Sequence, residues 1–133
     1  MTALDFFLAS HFLHRSMSNI TDFTSALRQR PGVDAVLVLG RDGLLIDGFA
    51  PAGTDNDDLA ARAPSIVVEA DALGLASGQG ALATAILEME RGYTVVSVLA
   101  DDTLLMIQLS SSADLGGLLF DIRRYRGNIA ALI

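Results

Sequence analysis

Several residue types that carry chemistry are missing from this chain of 133 residues. It has no cysteine, which excludes disulfides, cysteine-ligated zinc, iron–sulfur clusters and thiol catalysis. All nine basic residues are arginine, and without lysine neither a Schiff base nor the phosphate-binding lysine of a P-loop can form. Aromatic residues amount to only 6% although hydrophobic residues reach 51%, so the apolar content is mainly aliphatic.

Long apolar runs are missing as well. No segment reaches the roughly 18 apolar residues that a membrane-spanning helix needs. The N-terminal stretch has no basic region of the kind that opens a secretory signal, and Asp5 stands where one is expected. We therefore expect a cytoplasmic protein without a membrane span. The absence of repeats and of low-complexity linkers predicts one globular domain.

The net charge of −7 comes from the middle of the chain. Residues 51–102 hold six Asp and three Glu against two Arg, which is net −7, whereas residues 1–50 are net −1 and residues 103–133 are net +1. A phosphate backbone would be repelled by this charge, so we expect no nucleic-acid partner. The one basic cluster is interpreted as a solvated helix face; it comprises Arg123, Arg124 and Arg126.

Two pairs of apolar, β-branched runs predict antiparallel hairpins. In the first pair the turn contains Asp42-Gly43, a step that favours the positive φ of a tight turn. Residues 81–90 are ambiguous, because their Ala, Leu, Glu and Met content favours a helix and their alternation is weak. The runs predicted as strands are 33–39, 44–49, 93–99 and 104–109.

Apolar spacings near three and four predict helices at both ends and in the centre of the chain. The first covers much of residues 1–30, in which Ser18 or Asn19 can cap a shorter helix that begins near Ile20. The last, residues 115–133, follows the capping-box spacing Ser111-x-x-Asp114. Its Gly116-Gly117 pair is interpreted as a point where another backbone approaches closely.

The central helix is predicted over residues 57–77, after the capping-box spacing Thr54-x-x-Asp57, with a kink or a restart at Pro64. It has two apolar faces, and because a surface helix of a monomer needs only one, we expect it to be covered from both sides. The first face comprises Leu59, Ala63, Ile66, Ala70 and Leu73. The second comprises Ala61, Val68, Ala72 and Leu75. The polar strip between them comprises Asp58, Arg62, Ser65 and Glu69.

The motifs of catalysis and cofactor binding are not found. His11 and His14 lie three residues apart, but the nearest carboxylates are more than one turn away, so we expect no metal site. Gly78-Gln-Gly80 has no third glycine at residue 83, which excludes a dinucleotide fingerprint. No serine stands in a nucleophile elbow. We therefore expect a non-enzymatic protein without cofactor, metal or catalytic residues.

In their order and spacing, four segments resemble the Roadblock/LC7 family. They are residues 31–49, 57–77, 90–110 and 115–133. The resemblance covers residues 18–133 and leaves residues 1–17 as an N-terminal helical extension. It implies an α/β protein of the α+β type, a profilin-like sandwich. A five-stranded antiparallel sheet would carry the central helix on one face and the N- and C-terminal helices on the other, and residues 81–90 would be a strand.

The resemblance also implies a function. Family members are mostly non-enzymatic platforms that dimerise through their central helices and edge strands, and bacterial members of the MglB type regulate Ras-like small GTPases. We therefore expect a homodimeric regulator or scaffold of such a GTPase. The expected GTPase contacts are Asp58, Arg62, Ser65 and Glu69. The expected dimer contacts are Ala61, Val68, Ala72, Leu75, Leu82, Thr84 and Ile86.

The alternative is a profilin- or PAS-like sensor of a small molecule, which would share the sheet and the flanking helices. Such a sensor needs a cavity lined by a few polar groups. The candidates for those groups are Tyr93, Ser97 and Gln108.

Overall fold

The computed structural model describes residues 19–132, in which three helices and five strands follow one another. They are α1 (Ile20–Arg28), β1 (Val33–Gly40), β2 (Leu45–Phe49), α2 (Asn56–Ala76), β3 (Thr84–Met89), β4 (Gly92–Ala100), β5 (Thr103–Ser110) and α3 (Leu115–Ala130). The predicted extension over residues 1–17, with His11 and His14, lies outside the described residues.

The strands form one antiparallel sheet in the order β2-β1-β5-β4-β3, which confirms the predicted fold. The ambiguous segment is therefore a strand, and the helix that its composition favours is not formed. Its backbone pairs with β4, where Ala85 lies opposite Val96, and this pairing satisfies the backbone polar groups along one side of the strand. Tertiary pairing thus overrides a weak local propensity.

Helices cover both faces of the sheet. Under α1 and α3 the core contains large side chains such as Phe23, Leu27 and Ile122, which pack on Val36 and Val95 of the sheet. Of the described elements, only α2 lies on the opposite face. The core on that side comprises Leu37, Leu39, Ala60, Ala63, Val67, Val96, Leu104 and Met106. The sheet is therefore the middle layer of a three-layer sandwich.

Asn19, one of the two predicted caps, is the N-cap of α1. Its side chain accepts the N–H of Asp22 at 2.9 Å. The predicted cap of α2 is wrong by one residue. Asp55, and not Thr54, is the N-cap, and its Oδ1 accepts the N–H groups of Asp57 at 3.0 Å and Asp58 at 3.2 Å. One carboxylate thus satisfies two of the free donors of the first turn.

The capping box predicted before α3 is also wrong. Asp114 itself is the N-cap, and its Oδ1 accepts the N–H of Gly117 at 3.0 Å. Among the described residues, side chains and not another backbone approach the glycine pair: a Cβ on Gly117 would meet the Asp114 carboxylate and, at 3.0 Å, Nη2 of Arg30. Gly117 therefore makes room for side chains. Helix α2, in contrast, runs through Pro64 as one continuous element, without the restart that was considered.

Candidate functional site

Helix α2 rests on the sheet through small residues. Ala60, Ala63 and Val67 are its buried residues, and two of them lie outside both predicted apolar faces. In the first predicted face Ala63 is buried and Leu73 is 71% exposed, so this face does not lie against the sheet along its whole length. The side of α2 that faces the strands therefore carries mainly small side chains, and alanine allows the helix and the sheet to approach closely.

No element of residues 19–132 covers the second predicted apolar face. Ala61 and Ala72 are exposed, Val68 is 62% exposed and Leu75 is 69% exposed. Large exposed aliphatic side chains that follow one another along a helix are typical of a surface that meets another molecule. Leu73 enlarges this surface toward the C-terminal end of α2.

The polar strip lies along the outer side of the same helix, and its four predicted members are all exposed. Nη2 of Arg62 is 3.1 Å from Oδ1 of Asp58 one turn away, and the Ser65 hydroxyl donates to the carbonyl of Arg62 at 3.3 Å. An exposed pair of this kind contributes little to stability. Glu69 completes the strip, which carries two carboxylates against one guanidinium.

One of the two edges of the sheet is β3, which pairs with β4 and with no second strand among residues 19–132. Ile86 on this edge is 43% exposed. Leu82 precedes the strand and packs on the core beneath α2. Thr84 lies on the opposite face of the sheet, where its hydroxyl is 3.0 Å from that of Ser97. The predicted dimer residues thus occupy two connected surfaces, α2 and the β3 edge.

Sequence reasoning missed Asp71, which joins these two surfaces. Its Oδ1 accepts the N–H of Leu82 at 2.7 Å, and its Oδ2 accepts Nη1 of Arg41 at 3.2 Å. The hydrogen bond from Leu82 lowers the pKa of Asp71 below 3.8, partial burial opposes this, and Arg41 lowers the pKa further. Residues on one face of a helix are three or four positions apart, and Asp71 follows Glu69 by two, so it lies outside the polar strip. This offset is the sequence signal that could have identified Asp71.

Arg126 was also misplaced by sequence reasoning, which assigned it to a solvated basic cluster. Arg123 and Arg124 are exposed as predicted, but Arg126 turns toward the sheet. Its Nη2 donates to Oγ1 of Thr84 at 3.0 Å and to Oγ of Ser97 at 2.9 Å. Helix α3 therefore contacts the edge strand through a charged side chain.

Two features of the described residues bear on the sensor alternative, a hollow between α1 and α3 and a groove at the sheet surface. The hollow between α1 and α3, lined by Phe23, Leu118 and Tyr125 among others, has a volume of about 10 Å³, about that of one water molecule. Gln108 and Tyr93 line an open groove of about 220 Å³ at the sheet surface. Ser97, the third candidate, is bonded to Arg126.

Two further properties of residues 19–132 bear on the class of function. No group of three or more His, Cys, Asp or Glu side chains within this range is arranged to hold a metal ion. None of the helices described there combines the length and the apolar composition needed to cross a bilayer.

Comparison with known proteins gives one family and several solved structures with a similar fold. The model of the Roadblock/LC7 domain matches residues 20–109. A Roadblock/LC7 domain from Streptomyces avermitilis superposes with a TM-score of 0.76 at 19% identity, covering 86% of this chain and 97% of that one. A structure described as MglB with tetrameric arrangement gives 0.75 at 20% identity, covering 84% and 85%. MglB of Myxococcus xanthus gives 0.69 at 13% identity, covering 86% and 89%. No protein with a curated description matches the chain.

Proposed function

The chain belongs to the Roadblock/LC7 family, and from this premise we propose that it is a non-enzymatic, cytoplasmic homodimer. In this proposal the dimer binds a Ras-like small GTPase and modulates its nucleotide cycle or its localisation. The observation that carries the proposal is the outer surface of α2. Val68 and Leu75 are mostly exposed there, beside a polar strip that no other element of the described protomer covers.

The proposed dimer uses the apolar side of α2 together with the β3 edge. An open edge strand with few charges is prone to aggregation unless something pairs with it. Pairing of two β3 edges would satisfy the free backbone groups of both strands and would extend the sheet through both protomers. Packing of Val68, Ala72 and Leu75 against the second copy would remove apolar surface from water.

The proposed GTPase surface is the polar strip of α2, with Asp58, Arg62, Ser65 and Glu69 as contacts. Because Arg62 and Asp58 are paired with each other, Glu69 supplies the excess negative charge of the strip. A partner that meets this surface should carry positive potential, which favours encounter and specificity more than affinity.

Titration with Ras-like GTPases from the same genome tests the proposal. Each GTPase is loaded with GDP or with a non-hydrolysable GTP analogue, and its binding is measured by calorimetry. We expect one of them to bind in a nucleotide-dependent manner and Glu69→Arg to weaken that binding by about tenfold, or about 1.4 kcal/mol.

Arg123→Glu is the matched control, since it reverses an exposed charge on the opposite side of the sheet and should leave the affinity unchanged. Equal weakening by both variants would contradict the assignment of the strip. Lack of nucleotide-dependent binding to any of the GTPases would contradict the proposed function itself.

The domain boundary is a separate part of the proposal, with the domain at residues 18–133 and an extension at residues 1–17. A chain that begins at residue 18 should retain the unfolding midpoint and the dimer of the full chain. Loss of either property would place the N-terminal segment within the domain.

A further inference from the structure

The chain that leads from α2 into β3 is tied to α2 at two places. The carbonyl of Gly74 accepts the N–H groups of Gln79 at 2.8 Å and Gly80 at 3.1 Å. A side chain on Gly74 would collide with the Gly80 carbonyl, so this close return requires glycine. Asp71 then accepts the N–H of Leu82 at 2.7 Å.

The chain at the start of β3 is also held by β4 and by α3, which lies on the opposite face of the sheet from α2. The carbonyl of Ala83 accepts the N–H of Val98 at 2.9 Å. Nη2 of Arg126, from α3, then reaches Oγ1 of Thr84 at 3.0 Å and Oγ of Ser97 at 2.9 Å. The start of the edge strand is thus held by one charged side chain from each helical layer.

We propose that Asp71 and Arg126 are positioning residues that hold the start of β3 in the conformation in which this edge pairs with a second copy of the chain. This inference rests on the dimer of the proposed function. An edge strand has a partner on one side only, so its ordering is less supported than that of a central strand. Ordering a residue costs conformational entropy, and a strand that is already ordered in the monomer avoids this cost on association.

Two variants test the positioning role of Asp71 and Arg126 in the full chain. Asp71→Ala removes the acceptor of the Leu82 N–H, and Arg126→Met keeps the apolar stem but removes the donors to Thr84. Each should raise the dimer dissociation constant, measured by sedimentation equilibrium, by about tenfold, or about 1.4 kcal/mol. Hydrogen exchange over residues 82–86 should become faster in both variants.

Conservative and matched variants separate positioning from general stability. Asp71→Asn keeps an oxygen that accepts the Leu82 N–H and should restore a dissociation constant close to that of the native chain. Thr24→Val removes a similar contact at the other edge of the sheet, where the Thr24 hydroxyl donates to Asp47 at 3.0 Å. It should lower the melting temperature without changing the dissociation constant.

The outcomes separate this inference from the proposed function. If the native chain stays monomeric at all concentrations, both are overturned. If the native chain is a dimer and neither Asp71→Ala nor Arg126→Met changes its dissociation constant, only the positioning role is overturned. The same holds if Thr24→Val weakens the dimer as much as they do, because the effect would then be one of stability. Should Asp71→Ala fail to fold, Arg126→Met carries the test.

Discussion

Nη1 of Arg30 donates to Oδ2 of Asp121 at 2.7 Å, and the two side chains are only 3% and 4% exposed. The pair joins the chain just after α1 to the middle of α3, across 91 positions of sequence. Two charges removed from water are tolerated because each one compensates the other. The packing of the two terminal helices against each other therefore depends on both partners.

Loss of one partner should be far more harmful than loss of both. Asp121→Leu leaves the Arg30 guanidinium charged and buried, and should lower the free energy of unfolding by about 3–5 kcal/mol. In the double variant Arg30→Met with Asp121→Leu no charge is left in the contact, and most of that loss should be recovered. Urea unfolding at neutral pH measures both. A double variant as unstable as the single one would show that packing, and not charge, is the cause.

The two glycines of α3 that differ in their surroundings form a matched pair. Gly127 has nothing within 4 Å of a built Cβ, so Gly127→Ala should stabilise the protein by about 1 kcal/mol through helix propensity. Gly117→Ala forces the capping carboxylate of Asp114 to move, with Arg30 directly beside it. The lost N-cap costs about 1 kcal/mol, which offsets the gain in helix propensity, so Gly117→Ala should give no net stabilisation. Equal thermal shifts in the two variants would contradict this account.

The stability that Asp71 supplies should depend on pH. Its folded pKa lies below 3.8, mainly because of the hydrogen bond from Leu82. A depressed carboxyl pKa contributes stability that is present above the unfolded pKa and is lost as the pH falls through the folded one. The difference in urea midpoint between the native chain and Asp71→Asn should therefore be larger at pH 7 than at about pH 3. A difference independent of pH would remove the role of the charge.

Two exposed apolar residues, one on each helical layer, allow the proposed dimer surface to be tested against a control site. Val68 on α2 and Phe120 on α3 are 62% and 57% exposed. Val68→Asp should give a monomer or an aggregate, because a buried interface would contain an uncompensated charge. Phe120→Asp should leave the dimer intact. Light scattering and sedimentation measure the mass of each variant, and an unchanged Val68→Asp dimer would place the interface elsewhere.

The strongest local patterns were sufficient to predict most elements. The Asp42-Gly43 turn between apolar runs predicted the first hairpin, and Gly43 has the positive φ of 86° that such a turn needs. The cap positions were harder, because Thr54 and Asp55 are both good N-caps and only the course of the preceding turn selects one. The N–H of Thr54 bonds to the Pro51 carbonyl, which leaves the cap to Asp55.

By itself, the sequence determined the number and kind of most elements, the exposed character of the strip from Asp58 to Glu69, and a resemblance that the family match confirms. These follow from periodicity and turn chemistry, which act over a few residues. Local patterns left residues 81–90 ambiguous, and the strand that the resemblance implies there is confirmed at residues 84–89. Only the tertiary structure decided that Arg126 turns inward and that Asp71 accepts the N–H of Leu82. Each of these depends on a partner outside the few residues that a periodicity covers, such as Leu82 for Asp71 and Thr84 for Arg126. A hydrogen bond or a strand pairing is specified by both of its members.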